Sequence, residues 1–179
     1  DTRISAILDG SSGLTESGGT NAYTITIGTD DAAASASDLN SINSLTTVAV
    51  NINNVTSLTS SSLSELTTLA SNISGFSNTT NITTIAVSDT EIAADSLAAR
   101  IDSFDSINGG SKTTNMTLAS GATINVSSSE ITEMLADETA GRLTISDQKI
   151  TVDSGSISVS TAKSLAETTT GVVTATIAD

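Results

Sequence analysis

The sequence predicts an α/β repeat fold, a solenoid of short strand–helix–strand units with a mainly parallel sheet. Short segments in which every second residue is apolar are typical of strands with one buried face. Between them lie segments whose apolar residues recur at helical spacing, which indicates short amphipathic helices. Because a helix that joins two strands through a right-handed crossover lets them run parallel, this alternation favours a parallel sheet with helices along one flank.

The predicted strands and helices follow one another along most of the chain. The strands are marked by Tyr23, Ile25 and Ile27; Val48, Val50 and Ile52; Ile85 and Val87; Ala122, Ile124 and Val126; Leu143 and Ile145; Ile150 and Val152; Ile157 and Val159; and Val173, Ala175 and Ile177. The helices are marked by Leu39 and Ile42; Leu63, Leu66 and Ala70; Leu97, Ile101 and Phe104; Ile131, Met134 and Leu135; and Ala162, Leu165 and Ala166.

Helix starts and ends carry signals of their own. A capping box, Ser-x-x-Glu, precedes three helices, at Ser62 and Glu65, Ser88 and Glu91, and Ser127 and Glu130. Glycine or asparagine closes several units, at Gly75, Asn108 to Gly110, Gly141 and Gly171, where a chain that leaves a helix often needs a positive φ.

The composition restricts the kind of core that the chain can build. It has 179 residues, about a third of them Ser or Thr, with Tyr23, Phe76 and Phe104 as the aromatic residues and no Pro, Cys, His or Trp. Such a core is thin and aliphatic, which suits stacked units. An all-β solenoid or sandwich remains the alternative, because helices rich in Ser and Thr are intrinsically weak.

The chain divides into a short leading segment and a repetitive remainder. Residues 1–22, with four glycines, are predicted to be a linker or the remnant of a preceding unit. Residues 23–179 are predicted to hold about five degenerate strand–helix repeats, anchored by Val87, Val126 and Val159. The chain ends directly after an alternating strand, which predicts that residues 172–179 pair with a further unit or a neighbouring copy.

The charge balance excludes two classes of partner. The formal net charge is -14, with 20 acidic residues and six scattered basic ones. A nucleic-acid binder needs a clustered cationic surface, and an anionic membrane repels an acidic protein. No apolar run approaches the ~20 residues that span a bilayer, so the sequence predicts no membrane insertion.

The residues available for chemistry are few. Without His and Cys, the commonest general base and the thiol nucleophile are absent. Carboxylate pairs remain, at Asp30 with Asp31, Asp102 with Asp105, and Asp137 with Glu138. Glycosidases use such pairs within an aromatic-lined cleft, which three aromatic residues cannot easily build. The sequence therefore predicts that the protein is not an enzyme.

Calcium is the one inorganic partner that the sequence favours, since carboxylate and carbonyl oxygens are its preferred ligands. Two loops, at residues 28–31 and 146–154, offer the candidate ligands Asp30, Asp31, Asp147 and Asp153. Neither loop has the spacing of an EF-hand, and the calcium-binding nonapeptide GGxGxDx is absent. No other cofactor is predicted.

Two further surface features are polar. Six N-x-Ser/Thr sequons occur, at Asn54, Asn72, Asn78, Asn81, Asn115 and Asn125, a number close to chance in so hydroxyl-rich a chain. Hydroxyl side chains on the predicted strands could form an array that binds ice or polysaccharide, although Thr is also simply a good strand former. They are Thr24, Thr26, Thr144, Thr151, Ser158 and Thr176.

The units SDTEIAADSLAARIDSFDSINGG and SVSTAKSLAETTTGVVTATIAD resemble those of giant low-complexity repeat proteins of bacterial, cyanobacterial-type cell surfaces. The resemblance implies an extracellular or cell-surface structural role, in a matrix, surface layer, fibre or adhesin stalk, and it carries over no catalytic residue. Its implied partners are further copies of the repeats, neighbouring subunits and surface polysaccharide. The alternatives are a sugar- or ice-binding repeat module, a carbohydrate-active β-solenoid enzyme and a phage tail-fibre segment.

Overall fold

The computed structural model describes residues 22–93, 97–110 and 114–178, which form a mixed α/β structure with parallel sheets and no closed barrel. Residues 1–21, most of the predicted linker, lie outside the described residues. The helices within the described ranges are α1 (Ala36–Ser44), α2 (Leu63–Ser71), α3 (Leu97–Phe104), α4 (Ile131–Thr139) and α5 (Val159–Thr168). Short 3-10 turns lie at Thr29–Asp31, Ile73–Gly75, Thr79–Asn81 and Asp105–Asn108.

The strands are short and form three parallel sheets. They are β1 (Ala33–Ala34), β2 (Val50–Asn51), β3 (Ser57–Ser61), β4 (Phe76–Ser77), β5 (Thr84–Val87), β6 (Glu91–Ala93), β7 (Asn115–Thr117), β8 (Thr123–Ser127), β9 (Leu143–Thr144), β10 (Lys149–Ser154) and β11 (Val173–Thr174). Sheet A has the order β1-β3-β5-β7-β9, sheet B the order β11-β10-β8-β6, and sheet C pairs β2 with β4.

The register of the sheets places apolar residues opposite one another. In sheet A one row consists of Ala34, Leu58, Ile85, Met116 and Leu143. In sheet B the corresponding row consists of Ile92, Ile124, Ile150 and Val173. A shift by one residue would turn every one of these side chains to the other face, so the burial of one face fixes the pairing. The predicted parallel arrangement of the strands is confirmed.

Within the described residues, each helix follows a strand of sheet A, directly for α1 and α2 and after an intervening strand of sheet B for α3, α4 and α5. This gives five strand–helix segments, numbered here 1 to 5. They span residues 33–44, 57–71, 84–104, 115–139 and 143–168. Helix α1 contacts α2, α2 contacts α3, and α3 contacts α4. The described helices contradict the all-β alternative. Their formation in so hydroxyl-rich a chain reflects packing of an apolar face, because short helices gain most of their stability from tertiary contacts.

The core is aliphatic, as the composition predicted. Phe76 and Phe104 are the two aromatic side chains that it buries, and Tyr23 packs against it half-buried. Helices α1 and α2 each bury three apolar residues spaced by three positions, which is the predicted amphipathic pattern, whereas α4 buries Ile131 and Met134 together with the acid Asp137. Helices α1 and α2 thus lie with one apolar stripe in the core.

One predicted capping box forms, one is wrong and one closes a turn instead. Ser62 and Glu65 make both reciprocal bonds at the start of α2. The box at Ser88 is wrong, because Glu91 begins strand β6 and α3 starts only at Leu97. Glu130 accepts bonds from the backbone and hydroxyl of Ser127, but α4 begins after it, at Ile131.

The predicted strand at Ile157 and Val159 is only partly correct. Ile157 makes a single parallel bridge to Ile177, whereas Val159 is the first residue of α5 and is 71% exposed. The three valines used to align repeats therefore occupy different places: Val87 lies in sheet A, Val126 in sheet B and Val159 in a helix. A valine followed by serine marks the end of a strand as readily as the start of a helix.

Glycine serves two distinct purposes at the ends of the predicted units. Gly109, Gly110 and Gly141 have positive φ values of 60, 79 and 73°, as predicted. Gly75 and Gly171 do not, so the prediction of a positive φ is wrong there. A side chain at Gly75 would meet Asn43, and one at Gly171 would meet the backbone of Gln148, so close approach is the reason for glycine at both places.

Candidate functional site

The first pair of calcium candidates lies in the 3-10 turn before β1. Asp30 is exposed, while Asp31 is buried and its Oδ1 accepts no hydrogen bond. The backbone N–H of Asp31 donates to the carbonyl of Gly28 at 3.2 Å, which closes the turn. The two neighbouring carboxylates thus differ in environment, one facing solvent and the other facing the interior.

The two members of the second pair, Asp147 and Asp153, lie near opposite ends of strand β10. Asp147 precedes the strand and accepts bonds from the Ser120 hydroxyl and from Nε2 of Gln148. The Ser120 bond is the main reason that the pKa of Asp147 lies below its usual value. Asp153 is exposed near the other end of the strand, about 20 Å away at the usual rise per residue. Across the described residues no group of three or more acidic side chains is arranged to hold a metal ion.

Sequence reasoning missed a cluster of charges, which we call the charged joint: Asp102, Asp105, Asp137 and Arg142. Nη2 of Arg142 lies 2.7 Å from Oδ1 of Asp102 and 2.7 Å from Oδ2 of Asp105, and Nη1 lies 2.8 Å from Oδ1 of Asp137. The Arg142 side chain is 13% exposed, and Asp105 and Asp137 are more buried still. The joint therefore ties α3 and its following turn to α4.

The backbone after α4 explains how Arg142 reaches these partners. Gly141 adopts a φ of 73°, and the N–H of Arg142 donates to the carbonyl of Asp137 at 2.9 Å. The chain therefore folds back over the last turn of the helix, as in a glycine-terminated helix end. The charges around Arg142 raise its pKa, although its partial burial opposes this, so the guanidinium stays protonated.

A second cluster, the glutamine joint, consists of Gln148, Thr169 and Gly171. Oε1 of Gln148 accepts from the backbone of Ser146 at 2.7 Å, and its Nε2 donates to the carbonyl of Ala119 at 3.0 Å. The hydroxyl of Thr169 donates to the carbonyl of Gln148 at 2.6 Å and accepts from the N–H of Gly171 at 2.9 Å. Buried polar groups must be paired in this way to be tolerated. Gln148, the only glutamine in the chain, thus connects three successive stretches of backbone.

Two helix starts are held by residues from the next segment. The N–H of Ala36, the first residue of α1, donates to the hydroxyl of Ser61 at 2.8 Å. The N–H of Leu63, the first residue of α2, donates to Oδ2 of Asp89 at 2.7 Å. These bonds add to those of the helices' own capping residues, Ser35 and Ser62. They satisfy donors that a helix start otherwise leaves unpaired.

Asparagine side chains also bridge neighbouring stretches of chain. Nδ2 of Asn78 donates to Oδ1 of Asn51 at 3.0 Å, and Nδ2 of Asn81 donates to the carbonyl of Asn53 at 2.6 Å. Farther along, Asn115 and Thr144 bond to each other across sheet A. Several sequon asparagines thus use their amide nitrogens in the fold, which the sequon pattern alone did not reveal.

The hydroxyl residues predicted to form one array lie in different places. Thr144 lies in sheet A and Thr151 in sheet B, while Thr26 bridges to Asn51 at the edge of sheet C. Ser158 is not on a strand at all, because it caps α5 by accepting from the N–H of Thr161. The prediction that it points outward from a strand is wrong.

Residues 172–178, which we call the open edge, pair with other described residues along one side only. Val173 pairs with Ile150, and Ile177 pairs with Ile157. The N–H of Ile157 donates to the carbonyl of Thr176, and the N–H of Ala178 donates to the carbonyl of Ile157. Since backbone groups alternate along a strand, the N–H of Ile177 points away from Ile157. Val172 and Ile177 are 65% and 43% exposed.

Comparison with known proteins adds no relative to this description. No protein-family model, curated protein or solved structure matches the chain. In the described ranges no helix is both long enough and apolar enough to cross a membrane.

Proposed function

We propose that the chain is a structural segment of a long extracellular surface or filament protein, such as a matrix, surface layer, fibre or adhesin stalk. In this proposal the strand–helix segments are the units of a solenoid, each completed by its neighbours. Further copies of the same units, or neighbouring subunits, are its partners. Catalysis plays no part in this role.

Contacts between neighbouring segments support the proposal. Sheet A joins all five described segments in chain order, with an apolar row continuous through it. The charged joint, the glutamine joint and the helix-start bonds each connect one stretch of chain to the next. Stability that arises mainly between neighbours is typical of repeat proteins.

The open edge carries the proposal. Residues 172–178 use one side of their backbone to pair with β10 and Ile157, while apolar side chains at Val172 and Ile177 remain exposed. An exposed strand edge with apolar side chains is a template for another strand, and natural proteins usually cover it. A following unit, or another copy, would extend sheet B in the same parallel direction.

Hydrogen exchange on a tandem protein, two copies of the 179-residue chain joined head to tail, tests this role. The amides of Val173 and Ile177 should exchange quickly in the single chain and slowly in the first copy of the tandem. The amide of Ala178 is the internal control, because it already donates to Ile157 in the single chain. Equal exchange of Val173 and Ile177 in both proteins would contradict the proposal.

A polysaccharide-binding module is the second candidate, favoured by the absence of charge from two sheets. Within the described residues, the strands of sheets A and C carry no charged side chain, and Ser57, Thr84 and Asn115 form one polar row in register. Cosedimentation with an insoluble neutral polysaccharide tests it. Binding that is lost in Thr84→Glu but kept in Asp153→Asn would support this role, and the absence of binding by the native chain would contradict it.

A further inference from the structure

Two buried carboxylates of the charged joint share one guanidinium. Arg142 bonds one oxygen from each of Asp102, Asp105 and Asp137. With Asp105, Asp137 and Arg142 ionised, two buried negative charges share one buried positive charge. The side chains of Asp105 and Asp137 are only 7% and 8% exposed, so water screens them poorly.

Burial makes this excess costly. A carboxylate without a full counter-charge in a water-poor site tends to take up a proton, and neighbouring carboxylates strengthen the tendency. Glu133, one helical turn before Asp137 on α4, adds a further negative charge to the same region. Among the described residues, the charged groups that act on Asp137 are Arg142, Asp102, Glu133 and Asp105.

We propose that the charged joint is a proton-binding site that strengthens the contact between α3 and α4 as the pH falls. One proton enters the site and resides on Oδ2 of Asp137, the oxygen that does not bond Arg142. Oδ1 of Asp137 continues to accept from Nη1 of Arg142. The proton removes one of the two buried negative charges that share Arg142, and the fold is retained.

The expected titration has a definite direction. Burial is the chief cause that raises the pKa of Asp137 above its ordinary value of about 3.8, while Arg142 opposes the rise. Because the folded pKa exceeds the unfolded one, folding takes up a proton between these two values. The stability due to this group is complete below pH 3.8, and it is lost as the pH rises through the folded pKa.

Carbon-13 NMR of the side-chain carboxyls in the intact chain tests the site directly. The carboxyl of Asp137 should titrate with a midpoint above 3.8, the ordinary value for this residue. A midpoint at or below that value would overturn the proposal, because Arg142 would then dominate over burial. The measurement uses the native sequence, so it does not depend on whether any variant folds.

Urea unfolding of Asp137→Asn at about pH 7 and at pH 3.8, the ordinary value for this carboxyl, measures the effect on stability. Acid should raise the urea midpoint of the native chain, in part simply by lowering its net negative charge. The variant cannot take up the proton and should show a smaller rise. Asp153 is exposed and makes no bond to Arg142. The control variant Asp153→Asn should therefore show the same rise in urea midpoint as the native chain. An equal rise in Asp137→Asn and the native chain would contradict the proposal.

Discussion

Helices α2 and α5 have almost the same length and the same kind of capping serine, yet they differ in how the fold holds them. Helix α2 buries Leu63, Leu66 and Leu69, and Asp89 from the next segment binds its first N–H. Helix α5 buries Leu165 alone among its ten residues. Its own Ser158 is the one side-chain cap found for it among the described residues.

The difference shows where helix stability comes from in this protein. Helix α2 lies between α1 and α3 and contacts both of them. Helix α5 belongs to the last described segment, and its first residue, Val159, is mostly exposed. Both helices are short and begin after a capping serine, although only α2 completes a capping box, so the packing of α2 between two neighbouring helices accounts for most of the contrast. Substitutions in the two helices should therefore have unequal effects.

The largest effect is expected from truncating the core side chain of α2. Leu66 and Leu165 are both fully buried, and Leu66→Ala should lower the free energy of unfolding by about 2–5 kcal/mol. Leu165→Ala should cost less, because α5 can shift or fray to fill the space. Urea unfolding followed by circular dichroism measures both. An equal or larger loss in Leu165→Ala would contradict the comparison.

The next effect is expected at the glutamine joint, which holds the last strand in place. A side chain at Gly171 would meet the backbone of Gln148, so Gly171→Ala should displace β11 from β10 and cost about 1–3 kcal/mol locally. Hydrogen exchange should speed up for the amide of Ala178 and remain slow in segment 2. Thr174→Ala, an exposed change in β11, is the matched control. Faster exchange throughout segment 2 would show that the last segment is not a separate weak region.

A smaller effect is expected from removing the cap that reaches α2 from the next segment. Asp89→Ala should destabilise the fold by about 1 kcal/mol, since it removes an acceptor and a negative charge from a helix N-terminus. Asp89→Asn should retain part of the effect, because an amide oxygen can still accept the bond. Urea unfolding at neutral pH compares the two. If Asp89→Ala kept the native stability, the capping box of Ser62 and Glu65 would be sufficient to hold the start of α2.

The smallest effects are expected from the helices' own caps. Ser62→Ala removes half of a reciprocal capping box, and that box is also why the pKa of Glu65 lies below its usual value. It should cost about 1 kcal/mol, whereas Ser158→Ala should cost only a few tenths, because α5 adds little to the global stability. Thermal unfolding of both variants provides the comparison. A larger loss in Ser158→Ala would reverse the ranking of the two helices.

Periodicity predicted α1 to α4 well because each of them buries residues spaced by three or four positions, whereas α5 buries Leu165 alone. It failed where apolar runs are short. The capping box predicted at Ser88 and Glu91 does not start a helix, because Glu91 is the first residue of a three-residue strand. Val159 continues an alternating pattern but begins α5, since alternation over three residues cannot distinguish the end of a strand from a helix start.

The charged joint could not be predicted, because it depends on the packing of α3 against α4. Asp102 and Arg142 are 40 residues apart in the chain, and nothing local to either marks the other as its partner. The glutamine joint left one weak signal, a single glutamine in a chain otherwise rich in Ser, Thr and Asn. The calcium candidates depended on loop composition alone, and the structure places Asp147 and Asp153 at opposite ends of a strand.

The bonds that hold the starts of α1 and α2 give the chain a mechanical polarity. Ser61 in segment 2 holds the start of α1, and Asp89 in segment 3 holds the start of α2. A pulling force that detaches a segment from the carboxyl side removes the acceptor that its predecessor needs, so the preceding helix is weakened in turn. Force applied from the amino side leaves the helix-start acceptors of the remaining segments in place. Under tension, the fold should therefore unravel more readily from its carboxyl side than from its amino side.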